Sequence, residues 1–285
     1  MSKIEWCDKT WNPITGCKHG CVYCYARKIA KRFRGVWDGD SNVKTYLVSD
    51  AMQKVTGREF DGHGLKYFVG YDSKGEPKLI NAPYPYGFHP TLHIHRLETG
   101  VQRWKHPRNI FVCAMADLFG AWVSYEWIDK VFDVCNSAPQ HRFLFLTKNP
   151  KRYMELYNVL PRENNFFYGT TVTTADTEYW YSENHNWFLS IEPIMEKFPA
   201  HSLSGSVPLM DGPGIRPKWV IVGAETGNRK GKVIPKKEWI ETIVDQCRFW
   251  GIPLFLKNNL APVWGEPLIQ EYPWKTLKTQ GVGHD

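Results

Sequence analysis

The sequence predicts an α/β fold: a partial or near-complete (β/α) TIM-like barrel of about six or seven parallel strands, with an inserted loop or hairpin region. Three observations support this prediction. Short apolar runs rich in β-branched and aromatic residues end in polar residues, amphipathic helical patterns lie between several of these runs, and one region rich in Gly, Asp and Tyr interrupts the alternation.

Six segments carry the strand pattern. Runs of this kind, bounded by turn formers, are typical of strands buried on both faces. They are "NIFVCAMADLF" (109–119), "RFLFLTKNP" (142–150), "NFFYGTTVTT" (165–174), "WFLSIEPI" (187–194), "KWVIVGAETG" (218–227) and "IPLFLKNN" (252–259). One more strand is expected at the amino end. Because the carboxyl ends of barrel strands form the active face, the polar residues that end these runs are candidate site residues.

Two segments between the strands show helical spacing. In "SYEWIDKVFDVCNSAP" the apolar residues fall at Ile128, Val131, Phe132 and Cys135. In "PKKEWIETIVDQCRFW" they fall at Trp239, Ile240, Ile243, Val244 and Cys247, with Pro235 and Gly251 as start and stop signals. Alternation of strands and helices predicts a parallel sheet with helices outside it.

Residues 36–90 interrupt this alternation. They hold turn signals such as "DSKGEP" between short aromatic runs. We interpret them as an ordered insertion, with a possible hairpin, that lies over the barrel mouth. The whole chain, 1–285, is then expected to be a single barrel domain.

Composition and the start of the chain exclude several classes of protein. The apolar and charged fractions, 42% and 23%, are ordinary for a folded soluble protein. No apolar run reaches the roughly 18 residues of a membrane span, and the start "MSKIEWCDKT" lacks the apolar segment of a secretory signal. We therefore expect a cytoplasmic protein without a membrane partner, whose seven cysteines are metal ligands or thiols.

The net charge of +7 is partly clustered in two stretches. Such basic stretches suit a polyanion such as nucleic acid, although solvated helix and loop faces are the better explanation of either stretch alone. The first contains Arg27, Lys28, Lys31, Arg32 and Arg34, and the second contains Arg229, Lys230, Lys232, Lys236 and Lys237.

Three cysteines lie within eight residues, at Cys17, Cys21 and Cys24. Thiolates bind zinc or iron–sulfur clusters, but no second ligand pair follows, and a ferredoxin-type cluster needs four cysteines. His19 or Cys7 could close a zinc site. The spacing fits better with a [4Fe–4S] cluster in which three irons have protein ligands and the fourth iron is open for a substrate or cofactor. The helical pattern that follows places Ala26, Ile29, Ala30 and Phe33 on its core side.

The segment "CKHGCVYC" resembles the signature of the radical S-adenosylmethionine (radical SAM) superfamily. Its surroundings, "TWNPITGCKHGCVYCYA", with "AMADLF", "APQHRFLFLTKNP", "LSIEPI" and "VIVGAETG" in order downstream, are similar to a phage-associated three-cysteine branch of that superfamily, mostly of unknown function. The resemblance covers nearly the whole chain outside 36–90. Two segments depart from the usual pattern, with "CAMAD" in place of a glycine-rich GGE segment and "GAETG" in place of a double glycine.

The resemblance implies two cofactors, a [4Fe–4S] cluster and S-adenosylmethionine (SAM), and an external one-electron donor of the flavodoxin or ferredoxin type. SAM would chelate the open iron, and one electron would cleave it to methionine and a 5′-deoxyadenosyl radical that abstracts hydrogen from a substrate. The protein supplies the positioned, dry cavity. The cellular setting would be the cytosol of a phage-infected or bacterial host.

The resemblance also suggests roles for side chains at the strand ends. Candidates for SAM binding are Tyr23, Asp117, Thr147, Lys148, Ser190, Glu192 and Glu225. Candidates for catalysis are Cys113, as a hydrogen-atom donor, and Lys257, as a group that holds a substrate anion. Each has a structural alternative: an aromatic packing role, a turn or helix cap, a small buried hydrophobe, or a salt bridge across the strand ends.

The expected function is an isomerase or lyase reaction on a modified or hypermodified nucleobase in phage DNA. Basic stretches and an aromatic-rich insertion support nucleic acid, and chemistry on a base in duplex DNA requires the base to be flipped out. Two alternatives stay open. One is a zinc- or cluster-containing module that binds nucleic acid or a partner without catalysis, and the other is a radical SAM enzyme for a peptide or small molecule.

Overall fold

The structure is a computed structural model that describes residues 4–37, 39, 43–44, 58–62, 65–199 and 215–275. The chain divides into two compact units. The amino-terminal unit is Lys9–Phe143, and the carboxy-terminal unit joins Met1–Asp8 to Leu144–Asp285. The expectation of a single domain stays a prediction.

Seven strands form the main sheet, in the order β1-β9-β10-β11-β12-β13-β14. They are β1 (Lys9–Trp11), β9 (Asn109–Val112), β10 (Arg142–Thr147), β11 (Phe166–Thr171), β12 (Asn186–Ile191), β13 (Trp219–Val222) and β14 (Leu254–Leu256). β1 pairs in parallel with β9, and β11, β12, β13 and β14 pair in parallel in succession. Each of the six predicted segments contains one strand, and the seventh lies at the amino end as expected. The mixed α/β class is therefore confirmed.

Shorter strands belong to the amino-terminal unit. They are β2 (Ile14–Thr15), β3 (Val36–Trp37), β4 (Val43–Lys44), β5 (Arg58–Phe60), β6 (Lys66–Tyr71), β7 (Pro77–Asn81) and β8 (Thr91–His93). β8 pairs with β2 and with β5, while β3 pairs with β4 and β6 pairs with β7. The inserted region thus contains the expected hairpin, β6–β7. Residues 38, 40–42, 45–57 and 63–64 of the 36–90 insertion lie outside the described residues.

Three of the helices, Tyr25–Arg32, Tyr125–Asn136 and Lys237–Phe249, lie where the sequence shows helical periodicity. The described helices are Tyr25–Arg32, Ile94–Glu98, Tyr125–Asn136, Lys151–Glu155, Lys237–Phe249 and Ala261–Trp264, with 3₁₀ turns at Val101–Arg103 and Asn258–Leu260. In the helix Tyr125–Asn136 all four predicted apolar positions are buried, and Ser124 Oγ accepts a hydrogen bond from Trp127 N at 3.3 Å. None of the described helices has the length and apolar character that crossing a membrane requires.

An aromatic core supports one face of the sheet in the carboxy-terminal unit. Trp6 packs edge-on against Phe188 of β12 and against Trp219 of β13, and all three side chains are buried. Because side chains alternate along a strand, the residues two and four positions beyond Phe188 and Trp219 lie on the same face, nearer the carboxyl ends. The aromatic core thereby supports the polar strand ends described next.

Candidate functional site

The cysteine loop is held tightly where it begins. Gly16 has a φ of +88°, and its N–H donates to Met115 O at 3.0 Å. A Cβ at this position would lie 2.3 Å from the backbone oxygen of His89, so only glycine fits. The next residue, Cys17, donates its N–H to Phe88 O at 3.3 Å. Backbone contacts therefore fix the direction in which Cys17 leaves β2.

The loop ends on a helix that anchors it to the core. Cys24 is the N-cap of the helix Tyr25–Arg32, and its sulfur accepts a hydrogen bond from Arg27 N at 3.3 Å. The helix buries Ala26 and Ala30 against Tyr84 and Met115. The predicted core-facing stripe is confirmed, since Ile29 and Phe33 pack against the same cluster.

The three thiols are half-buried and lie within electrostatic reach of one another. Burial above all, together with the charges of Asp117, Cys24 and Cys21, raises the pKa of the Cys17 thiol to about 12. Metal or cluster binding must therefore displace a proton from Cys17. Within the described ranges, no three Cys, His, Asp or Glu side chains converge as the ligands of one metal ion. The donor set itself, three thiols on one short loop, fits three irons of a cluster.

His19, inside the loop, is bound to the strand end of β9. Its Nε2 lies 2.7 Å from Asp117 Oδ2, and its ring packs edge-on against Trp122 with centroids 4.8 Å apart. The other oxygen of Asp117 accepts a hydrogen bond from Phe119 N at 3.0 Å. Asp117 is buried, so the carboxylate orients both the imidazole and the turn after β9. A SAM-binding role for Asp117 stays a prediction.

Aromatic residues flank the last cysteine. Tyr23 is half-buried in the loop between Cys21 and Cys24. Tyr25, which the sequence analysis did not select, donates its hydroxyl hydrogen to Ala114 O at 2.7 Å. This bond links the first turn of the helix to the end of β9.

The other cysteines lie in separate elements. Cys113, after β9, is buried with a φ of +60°, the left-handed region that non-glycine residues rarely occupy. Burial raises the pKa of its thiol to about 12. Cys7, Cys135 and Cys247 are also buried. The burial of Cys113 fits the alternative that it is a small buried hydrophobe. Its role as a hydrogen-atom donor stays a prediction.

In the carboxy-terminal unit, an ion pair joins the ends of β12 and β14. Lys257 Nζ donates to Glu192 Oε1, and both side chains are largely buried. Gly223, at the end of the intervening strand β13, makes room for the pair, because a Cβ there would lie 2.8 Å from Lys257 Cδ and 3.2 Å from Glu192 Cδ. The paired Lys257 therefore interacts with a carboxylate of the same chain, as the salt-bridge alternative expects.

Ser190 precedes this pair on the same face of β12. The residue is 0% exposed, and its hydroxyl has no hydrogen-bond partner among the described residues. Buried hydroxyls are normally satisfied, so an unpaired one is unusual. Thr147, also buried, accepts a hydrogen bond from Asn149 N at 2.9 Å and so caps the turn after β10. Lys148 is half-buried in that turn.

Glu225 organises the loop after β13. The buried carboxylate accepts two hydrogen bonds from Arg229, from Nε at 2.7 Å and from Nη2 at 2.8 Å. Arg229 also donates to the backbone oxygens of Lys230 and Gly231. The hydrogen bond from Arg229 lowers the pKa of Glu225. The structure thus gives Glu225 a scaffolding role, and a role toward ribose hydroxyls stays a prediction.

Several residues that shape these sites carried no sequence signal. Asn259 binds both backbone groups of Ala224, with its Oδ1 3.1 Å from Ala224 N and its Nδ2 2.7 Å from Ala224 O. Arg229 was selected only as part of a basic stretch. The two glycines, Gly16 and Gly223, are defined by close approach of distant segments, which a single sequence does not reveal.

One family model matches the chain over residues 1–68 and 74–278, and its description is "Protein of unknown function (DUF5131)". Searches of the curated proteins and of the solved structures found no match.

Proposed function

The chain belongs to the DUF5131 family, whose description assigns no function, and we propose that it is a radical SAM enzyme with a partial (β/α) barrel. Cys17, Cys21 and Cys24 would hold a [4Fe–4S] cluster, and SAM would bind at the iron that lacks a protein ligand. When bound, the cluster and SAM supply a 5′-deoxyadenosyl radical that abstracts hydrogen from the substrate.

The observation that carries this proposal is the cysteine loop. Three half-buried thiols lie on one loop, which Gly16 clamps at its start and the helix Tyr25–Arg32 anchors at its end. Each of the other cysteines is buried in a different element. A [4Fe–4S] cluster with one open iron requires three thiols on a loop whose two ends are fixed, with no fourth cysteine beside them.

The chain's own residues would orient SAM and limit water. The unsatisfied Ser190 hydroxyl can donate to a carboxylate, which is the role expected for it toward SAM. The Glu192–Lys257 pair and the buried Glu225 place charges at carboxyl ends of parallel strands, where ligands of α/β sheets bind. Tyr23, Thr147 and Lys148 remain proposed SAM contacts because of their positions in the sequence, beside Cys24 and at the end of a strand.

We propose a modified nucleobase in DNA as the substrate. The loop that follows Glu225 carries exposed Lys230, Lys232 and Lys236, with no acidic residue between them. The Glu225–Arg229 ion pair fixes this loop at its base. Rigid lysine-rich loops suit phosphate contacts, and these contribute sequence-independent affinity that weakens as salt rises.

One observation favours a second candidate, a zinc-containing binding module without catalysis. The hydrogen bond of His19 Nε2 to Asp117 leaves His19 Nδ1 for another partner. A histidine whose second nitrogen is bound to a carboxylate is the usual arrangement of zinc-ligating imidazoles. Cys17, His19, Cys21 and Cys24 would then form a closed site.

Metal analysis of anaerobically purified protein separates these candidates. We expect a brown protein with iron and sulfide near four each per chain, as for a [4Fe–4S] cluster, and dithionite-dependent cleavage of SAM. Cys24→Ala should lose the cluster, whereas His19→Gln should keep iron near the wild-type level. One zinc per chain that His19→Gln removes would establish the second candidate instead.

The substrate is tested separately. Reduced protein and SAM are incubated with phage DNA that carries modified thymidines, with unmodified DNA, and with a peptide library. We expect only the modified DNA to accelerate release of 5′-deoxyadenosine, measured by mass spectrometry. Acceleration by the peptide library alone would contradict the nucleobase assignment.

A further inference from the structure

A cationic helix follows directly after the last cysteine of the loop. From Lys9 to Trp37 the sequence has seven Lys or Arg residues and no Asp or Glu. Five of the cations lie in or next to the helix Tyr25–Arg32, and we call them the cationic face: Arg27, Lys28, Lys31, Arg32 and Arg34. Four of them are exposed, and Arg27 is half-buried.

The cationic face points away from the protein core. The helix buries Ala26 and Ala30, and at 100° per residue Lys28, Lys31 and Arg32 lie on the opposite side. Among the described residues, no carboxylate forms an ion pair with any member of the cationic face. Two of its guanidinium groups lie over aromatic rings instead, Arg27 over Phe88 at 5.6 Å and Arg32 over Phe33 at 5.4 Å.

Part of this distribution of charge opposes the stability of the helix, although Lys31 and Arg32, in the last turn, suit the negative end of its dipole. Lys28 is followed at i+3 and i+4 by Lys31 and Arg32, and each like-charge pair destabilises a helix by about 0.2–0.5 kcal/mol. The first turn contains Arg27 and Lys28 and no acidic residue, which is unfavourable at the positive end of the helix dipole. Charges that oppose local stability indicate an external partner of opposite sign.

The cationic face lies close to the proposed cluster. Cys24 caps this helix, so the backbone of Lys28 lies about 6 Å, and that of Arg32 about 12 Å, from Cys24 along the helix axis. A partner on this face would therefore come close to a cysteine that ligates the cluster. Proximity matters because the proposed reaction requires one electron from outside the protein.

We infer that the cationic face is the docking surface for a small acidic one-electron carrier protein that reduces the cluster. The inference rests on the proposed function. In this step the docked carrier would be oxidised by one electron and a bound cluster would be reduced by one, and cleavage of the carbon–sulfur bond of SAM would later consume that electron.

The size and composition of the face favour a carrier over nucleic acid. Electron-transfer encounters bury little surface, below about 1,200 Å² in total, which one face of a short helix can provide. Single-stranded nucleic acid is bound along rows of exposed aromatic rings. Beside the cationic face, Tyr25 is the one exposed aromatic ring among the residues that the structure describes, and its hydroxyl is bound to Ala114 O.

The test is a charge reversal with a matched control. The test variant combines Lys28→Glu, Lys31→Glu and Arg32→Glu, and the control combines Lys74→Glu, Arg103→Glu and Lys105→Glu. All six positions are exposed in the amino-terminal unit, and both variants change the net charge equally. Lys28→Glu favours the helix dipole, whereas Lys31→Glu and Arg32→Glu, in the last turn, oppose it. The core contacts of Ala26 and Ala30 are unchanged, so the test variant should remain folded, as circular dichroism would show.

Two measurements use a bacterial flavodoxin as the probe. The first is the affinity of the protein for flavodoxin at low and high salt. The second is SAM cleavage driven by reduced flavodoxin and, in parallel, by dithionite. We expect the test variant to bind flavodoxin at least about tenfold more weakly and to lose flavodoxin-driven cleavage in proportion, with dithionite-driven cleavage within about twofold of wild type. The control variant should match wild type in both.

Three outcomes would overturn the inference. The first is an unchanged affinity of the test variant for flavodoxin. The second is a fall in dithionite-driven cleavage equal to the fall in flavodoxin-driven cleavage, which would mean that the charges act on the cluster. The third is loss of DNA binding in the test variant while flavodoxin binding is intact. If wild-type protein fails to cleave SAM with dithionite, the proposed function fails. The salt-dependent affinity for flavodoxin still decides the docking surface in that case.

Discussion

At the residue scale, the cysteine loop depends on one glycine. Gly16 combines a positive φ with a backbone oxygen of His89 so close that no Cβ fits. Gly20, in the same loop, also has a positive φ, +75°, but no atom within 4 Å of a Cβ. Substitutions at Gly16 and Gly20 therefore distinguish the cost of steric overlap from the cost of backbone strain.

Gly16→Ala should destabilise the protein by about 2–4 kcal/mol, because backbone must move to relieve the contact. Gly20→Ala should cost only about 1–2 kcal/mol, the strain of a left-handed alanine. Urea unfolding of both variants measures the difference, and iron content after anaerobic purification reports on the loop. Equal losses of stability would mean that the approach of His89 is not rigid.

A second residue-scale prediction concerns Glu225 and pH. Arg229 stabilises the charged carboxylate, so the pKa of Glu225 in the folded protein lies below its ordinary value of 4.5. A depressed pKa contributes stability that is fully present above pH 4.5 and is lost as the pH falls through the folded-state pKa. Glu225→Gln removes this contribution.

The difference in free energy of unfolding between wild type and Glu225→Gln should therefore be constant near neutral pH and shrink below pH 4.5. Urea denaturation across a pH series measures it. Glu178→Gln is the control, since Glu178 and its partner Lys151 are each 71% exposed, 3.6 Å apart, and should show a difference within about 0.5 kcal/mol at every pH. If the difference in free energy of unfolding between wild type and Glu225→Gln stays constant down to acid pH, Arg229 does not lower the pKa of Glu225.

At the element scale, the helix Tyr25–Arg32 connects packing to the cysteine loop. Its core side is built from two alanines, which allow close approach of Tyr84 and Met115. Its outer side carries the cationic face. The same eight residues therefore fix Cys24 and present charge to solvent.

Ala30→Leu should destabilise the protein by about 1–3 kcal/mol and reduce cluster occupancy, because a larger side chain pushes the helix and its N-cap Cys24 away from Met115. Thermal unfolding and iron content test this. Ala175→Leu, at an exposed position, adds the same bulk and should stay within about 0.5 kcal/mol of wild type. Full iron content in Ala30→Leu would show that the loop is positioned without the helix.

At the scale of the whole molecule, stability should vary with burial. Every residue of β11 and β13 is buried, whereas most residues of the hairpin β6–β7 are exposed or half-buried. Local opening requires less free energy where few apolar contacts are broken. The hairpin should therefore open far more easily than the central strands.

Native-state hydrogen exchange followed by mass spectrometry tests this ranking. Peptides that cover 166–171 and 219–222 should exchange slowest, and peptides that cover 66–81 should exchange in the fastest class. Protection of 66–81 comparable to that of β11 would show that the hairpin is covered by a partner or by another part of the chain.

The sequence by itself determined the seven strands, the two long helices and the three-cysteine loop. These features are encoded in short-range periodicity and spacing, because burial on one side of a helix or both sides of a strand dictates which neighbours are apolar. The core stripe that follows Cys24 was predictable for the same reason.

Only the tertiary structure decided which side chains meet. His19 and Asp117 are 98 residues apart, and Glu192 and Lys257 are 65 apart. Sequence reasoning placed Asp117, Glu192 and Lys257 at strand ends but could not show that each carboxylate already has a partner in the chain. The need for glycine at Gly16 and Gly223 likewise arises from distant atoms. Ion pairs and close approaches depend on the path of the backbone, and local sequence leaves that path open.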